Sequence, residues 1–127
     1  MARVDSGPSI LRVQKFTYDH GVQGDIDPSS AVILGSLPDN VVVIGTHTDC
    51  TVAVGSSGGP ISTALKIGST TIASASTGSG FLTTGVTFES DLVKLDGAQD
   101  VTLNNNSGAH TTNAGVINIF IQYYQGV

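Results

Sequence analysis

The chain has 127 residues, enough for one domain, and 39% of them are hydrophobic, so a packed core is available and a disordered composition is excluded. Only 12% are charged, about half the usual share for a soluble domain, and the net charge is −5. The cations Arg3, Arg12, Lys15, Lys66 and Lys94 form no run, so nucleic-acid binding and attachment to an anionic membrane surface are not expected.

Cys50 is the single cysteine, so no intrachain disulfide can form and nothing marks an oxidising compartment. The first segment, MARVDSGPS, has no apolar core of a signal peptide, and no apolar run approaches the ~20 residues that span a bilayer. Synthesis and folding in a cytosol are the expectation. Gly, Ser, Thr and Asn take the place of charge, with 16 Gly, which suits a β protein with many short connections.

Residues 1–9 read as a flexible arm, broken by Gly7-Pro8, ahead of a single domain over residues 10–127. Residues 10–18, ILRVQKFTY, alternate imperfectly as an edge strand would. Arg12 and Lys15 would blunt that edge against foreign strands. Residues 19–30 carry two internal Gly, one Pro and three Asp, and are expected to form a loop.

The densest apolar stretch is 31–54, AVILGSLPDNVVVIGTHTDCTVAV. Its Val and Ile favour strands, and Pro38-Asp39-Asn40 breaks the run where a turn would. Two or three consecutive antiparallel strands are expected here, with Val41, Val43 and Cys50 in the core. A hairpin follows over 61–75, closed by a Gly68-Ser69 turn of type II′. Short apolar pieces at 81–82, 86–88, 92–95 and 101–103 are separated by turn residues. The strongest strand is GVINIFIQYY, 115–124. Ile117, Ile119, Ile121 and Tyr123 share one face, and a mixed face carries Val116, Asn118, Phe120, Gln122 and Tyr124. No stretch has helical apolar spacing. About eight short strands therefore predict an all-β antiparallel sandwich or barrel.

Candidate chemistry is sparse. His47, Asp49 and Cys50 sit together, but in a strand His47 and Asp49 share a face and Cys50 takes the other, which does not suit a nucleophile and its base. His20, Asp25, Asp27, His47, Asp49 and His110 have no metal-ligand spacing, and Asp25-Ile26-Asp27 lacks the Gly and Glu of a calcium loop. Asp19 with His20 and Glu89 with Asp91 read as solvated neighbours. The Gly-rich segments at 55–59 and 78–80 lack the Lys and following helix of a phosphate loop. Tyr18, Tyr123 and Tyr124 could line a sugar platform, or pack in the sheet or at a subunit contact. No catalytic residue, metal or cofactor is expected.

Three pieces carry a family resemblance. They are Gly35-Ser36-Leu37-Pro38-Asp39-Asn40 followed by Val41 to Ile44, then Ala64-Leu65-Lys66-Ile67-Gly68, then the closing strand through Tyr124. In this order the chain resembles a small jelly-roll capsid decoration, or cement, protein of tailed bacteriophages. The resemblance implies a virion protein on the capsid exterior, made in the host cytoplasm, that binds the major capsid protein lattice as a homotrimer. A tail-associated receptor- or carbohydrate-binding sandwich is the rival reading, and an enzyme using Cys50 a more distant one. If the arm staples the shell, deleting residues 1–9 will weaken capsid binding in a sedimentation assay. Full-strength binding by the truncated chain would overturn that role.

Overall fold

The computed structural model describes residues 10–90, 92–106 and 110–125, so the arm expected at 1–9 lies outside the described residues. In chain order the elements are β1 (Ile10–Asp19), a four-residue helix α1 (His20–Gln23), β2 (Val32–Leu37), β3 (Val41–Ser56), β4 (Ser62–Ile67), β5 (Thr70–Ser76), a 3₁₀ turn (Gly80–Leu82), β6 (Gly85–Glu89), β7 (Val93–Lys94), β8 (Gln99–Asn105) and β9 (Thr112–Gln125). No helix among them is long and apolar enough to cross a membrane.

The strands pair as one long hairpin folded in half. β1 pairs β9, β2 pairs β8, β3 pairs β6 and β7, and β4 pairs β5 at the closed end, all antiparallel. Rolling that ribbon adds two further pairings, β3 with β9 and β4 with β8. The result is two stacked sheets, β1-β9-β3-β6 with β7 beside β3, and β2-β8-β4-β5. This is a β-sandwich wound as a jelly roll, as expected.

Alternation puts one face of each sheet inside. Val41, Val43, Ile117, Ile119, Ile121 and Phe16 from the first sheet meet Leu37, Leu65, Ile67, Ile72, Val101 and Leu103 from the second, all buried. Each such side chain stabilises by about 1.5–3 kcal/mol relative to exposure. The hydroxyls of Thr46 and Thr63 also point inward, with no hydrogen-bond partner among the described residues.

The opening stretch differs from expectation. β2 and β3 are consecutive but do not pair, because each belongs to a different sheet. The Pro38-Asp39 connection, closed by Asn40 at φ 63, carries the chain from one sheet to the other. Leu37 and Val41 on its two sides are both fully buried, so each end of the corner is anchored in the core. Residues 45–54 extend β3 rather than interrupt it, at the cost of four register shifts against β9. One shift lies at Val52/Gly55, where Gly115 at φ 140 faces Val54. A Cβ there would stand 2.7 Å from Val54 Cγ2. The β4–β5 hairpin closes as predicted, with Gly68 at φ 58 and no positive φ at Ser69, the pattern a type II′ turn requires.

The expected loop after β1 contains α1. Asp19 caps it by accepting from the Gly21 N–H at 2.9 Å, and Gln23 reaches back to accept from the Asp19 N–H at 2.7 Å. The chain then drops Ile26, fully buried, into the end of the sandwich. A buried polar network holds it there. The Ile26 N–H donates to Thr112 Oγ1 at 2.7 Å, and Asn105 Nδ2 donates to the Ile26 carbonyl at 2.9 Å. The Tyr18 hydroxyl donates to the Gly24 carbonyl at 2.7 Å and lies 3.0 Å from Thr112 Oγ1.

Burial pushes the Tyr18 phenol above its ordinary value, outweighing the Thr112 hydrogen bond, and the Asp25 and Asp19 charges add to the rise. A raised folded value favours the neutral form, so this stability is fully present below about pH 10 and is lost as pH rises through the shifted value. Tyr18→Phe is expected to cost ~1–2 kcal/mol in denaturant melts at pH 7. Its deficit against the unmodified protein should shrink above about pH 10. A deficit that is constant or grows across that range would show that Tyr18 ionisation is not coupled to folding.

Candidate interaction surface

The two outer faces of the sandwich differ in chemistry. On β2-β8-β4-β5 the outer face carries Thr102, Asn104, Lys66, Thr71, Ser74 and Ser76, with Ile33 as its large exposed apolar side chain. Asn104 Nδ2 donates to Thr102 Oγ1 at 2.9 Å, so neighbouring polar groups satisfy each other. Such a face is stable in water as it stands.

The outer face of β1-β9-β3-β6 sets aromatic and large apolar side chains among polar ones. Register alignment builds it row by row. Lys15, Phe120, His47 and Phe88 form one row across the four strands. Within it the His47 and Phe88 rings lie 4.6 Å apart between centroids, tilted by 44°, and Lys15 Nζ sits 5.8 Å from the Phe120 ring centre. The next row is Thr17, Asn118, Asp49 and Val86, with the Thr17 hydroxyl donating to Asn118 Oδ1 at 3.0 Å. Towards the other end, Leu11, Tyr124 and Val42 share a row that runs on to Lys94 of β7. Val86 is 69% exposed, Phe88 55%, Val13 56% and Leu11 53%, so this face keeps large apolar groups in water.

The residues that attracted chemical interest in the sequence are dispersed. His47 and Asp49 point outward on β3 and Cys50 points inward opposite Ile117, as alternation predicts. The Cys50 thiol donates to the Val52 carbonyl at 3.2 Å, and burial pushes its pKa up. His20 Nε2 lies 2.6 Å from Asp25 Oδ1. Asp27 accepts from the Ser29 hydroxyl at 2.7 Å and the Ser29 N–H at 2.8 Å, which holds its carboxyl below the usual range. Gln23, Asp25, Asp27, Ser30, Val32 and Ile33 line a shallow open depression there. His110 lies over Gly58 and Gly59 at another loop. Among the described residues no three His, Cys, Asp or Glu side chains converge as a metal site would need. Tyr18 and Tyr123 are buried, so of the three tyrosines only Tyr124 stands exposed and a three-ring platform is not formed. Asp91 lies outside the described residues.

No protein-family model matches the sequence, and no curated protein matches it. Solved structures do share the fold. A chain from the cyanophage Pam1 capsid asymmetric unit superposes with a TM-score of 0.66 at 16% identity, over 99% of this chain and 92% of that one. A chain from the capsid of Ralstonia phage GP4 gives 0.63 at 17%, over 100% and 92%. A chain from an acidic stable capsid structure of Helicobacter pylori bacteriophage KHP30 gives 0.64 at 10%, over 91% and 88%. Each is matched over nearly its whole length, so the shared unit is the entire sandwich.

The aromatic row was not readable from sequence. Alternation in 115–124 identifies Phe120 and Tyr124 as off-core, but Phe88 and His47 join them only through the pairing register. For Cys50 the structure makes a direct statement about reactivity. Native-state alkylation of its thiol is expected to run at least about tenfold slower than in denaturant, since reaction must await opening of β3. Equal rates in the two states would place the thiol in solvent and reopen a chemical role.

Proposed function

We propose that this chain is a structural protein of a bacteriophage virion that decorates the outside of the capsid, binding the lattice of the major capsid protein as a homotrimer. The observation that carries the reading is the match to chains from three phage capsid structures, each covered over 88–92% of its own length. Those chains are sandwiches of about this size, rather than one domain of a larger shell subunit.

The chemistry of the chain supports the same reading. Sparse charge and abundant Ser, Thr and Asn suit broad hydrogen-bonded contact with many copies of a partner. On a repeating lattice many weak contacts gain by multivalency. The unequal outer faces suit a molecule that is covered on one side and wet on the other. A net charge of −5 disfavours sticking to the packaged nucleic acid. The arm at residues 1–9 completes the reading as a staple onto a neighbouring subunit. A non-enzymatic role follows from this assignment.

Light scattering on the purified chain should report three times the mass of the 12.9 kDa protomer, and the chain should co-sediment with capsids that lack it. Failure to co-sediment with any such capsid would overturn decoration. Specific retention on a glycan array would favour the receptor-binding reading in its place.

A further inference from the structure

Between the buried Leu95 and the start of β8 at Gln99, the chain crosses from one sheet to the other through Asp96, Gly97 and Ala98. The Pro38-Asp39-Asn40 crossing runs beside it in the opposite sense. Leu37 pairs Gln99 at one end, and at the other the Leu95 N–H donates to the Val41 carbonyl at 3.0 Å. Both ends of the 96–98 crossing are therefore pinned, while its middle is free. Asp96 is exposed, and a Cβ built on Gly97 would meet no atom within 4 Å. Among the described residues neither the Asp96 carboxylate nor the Gly97 N–H has a hydrogen-bond partner.

We infer that Asp96-Gly97 is a site of spontaneous backbone modification, at which Asp96 cyclises onto the Gly97 nitrogen and reopens as isoaspartate, with water as the only co-reactant. In the first step the Gly97 nitrogen attacks Asp96 Cγ and a C–N bond forms. The amide proton and the carboxyl OH leave together as water, which closes a five-membered imide. Water then adds back. Addition at Cγ restores the original chain. Addition at the Asp96 main-chain carbonyl carbon breaks its bond to the Gly97 nitrogen instead, and the main chain then runs through Cβ and Cγ. Nothing is oxidised or reduced, and the mass of the product equals that of the starting chain. Glycine suits the attack because no Cβ crowds its nitrogen. The inference stands independently of the capsid reading.

The fold selects this aspartate over the other described ones. The Asp19 carboxylate is held by the Gly21 N–H, and Asp25 lies against His20. Asp27 is tied to Ser29 and precedes Pro28, which has no N–H to lose. Asp49 and Asp100 lie inside β3 and β8, each flanked by strands on both sides, so the ladders hold the following amide extended and away from the carboxyl. Asp39 precedes Asn40, whose side chain crowds the attack. The pinned ends give the product a consequence. Isoaspartate adds one backbone bond, about 1.5 Å, to the 96–98 crossing while the crossing beside it keeps its length. The mismatch falls on the Leu95–Val41 hydrogen bond and the Gln99–Leu37 pair, so the modified chain is less stable than its parent.

The test is to age the purified, folded chain in ¹⁸O-labelled water at neutral pH and map its peptides by mass spectrometry, using fragmentation that distinguishes isoaspartate from aspartate. Isoaspartate should accumulate at residue 96 with uptake of one labelled oxygen, at a rate within about tenfold of that in the same chain held unfolded in guanidinium, since no buried structure must open first. Gly97→Val places its side chain in open space and should keep the parent's melting midpoint while slowing the conversion. If that variant melts lower, Asp96→Glu, whose longer side chain cannot close a five-membered imide, reads the same step and should abolish the product. The aged form, separated by ion exchange, should melt below its parent. Conversion confined to the unfolded chain overturns the site, and so does conversion as fast at Asp39 or Asp100 as at Asp96. An aged form that melts with its parent overturns the strain assigned to the crossing.

Discussion

Everything in this fold hangs on the antiparallel ladder between β3 and β9. β9 is the strand with strict alternation, and β3 is long enough to run beside it for its whole length. Together they set the inner face, with Ile117, Ile119 and Ile121 against Val41, Val43 and Cys50, on which the second sheet is laid. The ladder is non-local, joining the middle of the chain to its end, and so are the β1–β9 and β2–β8 pairings around it. Loop closure of that size is costly before any contact repays it, so slow folding goes with the topology. The four register shifts let a long β3 curl with β9, and although Val52 is left exposed beyond the second shift, Val54 returns to the core.

Much of this architecture is legible in the residues. The alternation of 115–124 identifies the central strand and its core face. Gly68-Ser69 places a hairpin, and the cations of 10–18 announce an edge. What eludes sequence reading is partnership. Leu37-Pro38-Asp39-Asn40 announces a reversal of direction, and a reversal between paired strands uses the same residue types as one between stacked sheets. Only the pairing of β2 with β8 and of β3 with β9, in separate sheets, distinguishes the two. The short helix α1 escaped because a single turn has no periodicity to detect and is held by two side chains, Asp19 and Gln23. Ile26 escaped because one apolar residue between aspartates looks like a solvated loop, whereas here both neighbours are tied outside while it plugs the core.

The candidate surface was still less legible, for the same reason. Alternation shows that His47 and Phe120 leave the core, and it cannot show that Lys15, Phe120, His47 and Phe88 share a row, because that depends on three separate pairings. Cys50 is the converse case. Its neighbours His47 and Asp49 suggested chemistry by proximity in sequence, while the two-residue period of a strand separates them onto opposite faces. Strand geometry therefore separates the residues of an apparent site and brings into one row residues scattered over more than a hundred positions.

The molecule completes itself unevenly, and the unevenness bears on function. Its open end is sealed internally, by Ile26 and the Tyr18, Thr112 and Asn105 hydrogen bonds, and Leu37 and Val41 are buried on either side of its corner. Its four-stranded sheet faces water with hydroxyls and amides. No such closure serves the five-stranded sheet, whose outer face and both edges leave Leu11, Val13, Val86 and Phe88 exposed. A chain selected to remain alone would place charge on those positions, and this composition had room for it, since charged residues are so few. The apolar groups persist where the sheet is open, while on the other sheet Ile33 is the large exposed apolar side chain among hydroxyls and amides, and that contrast is the physical ground for the contact with other protein proposed above.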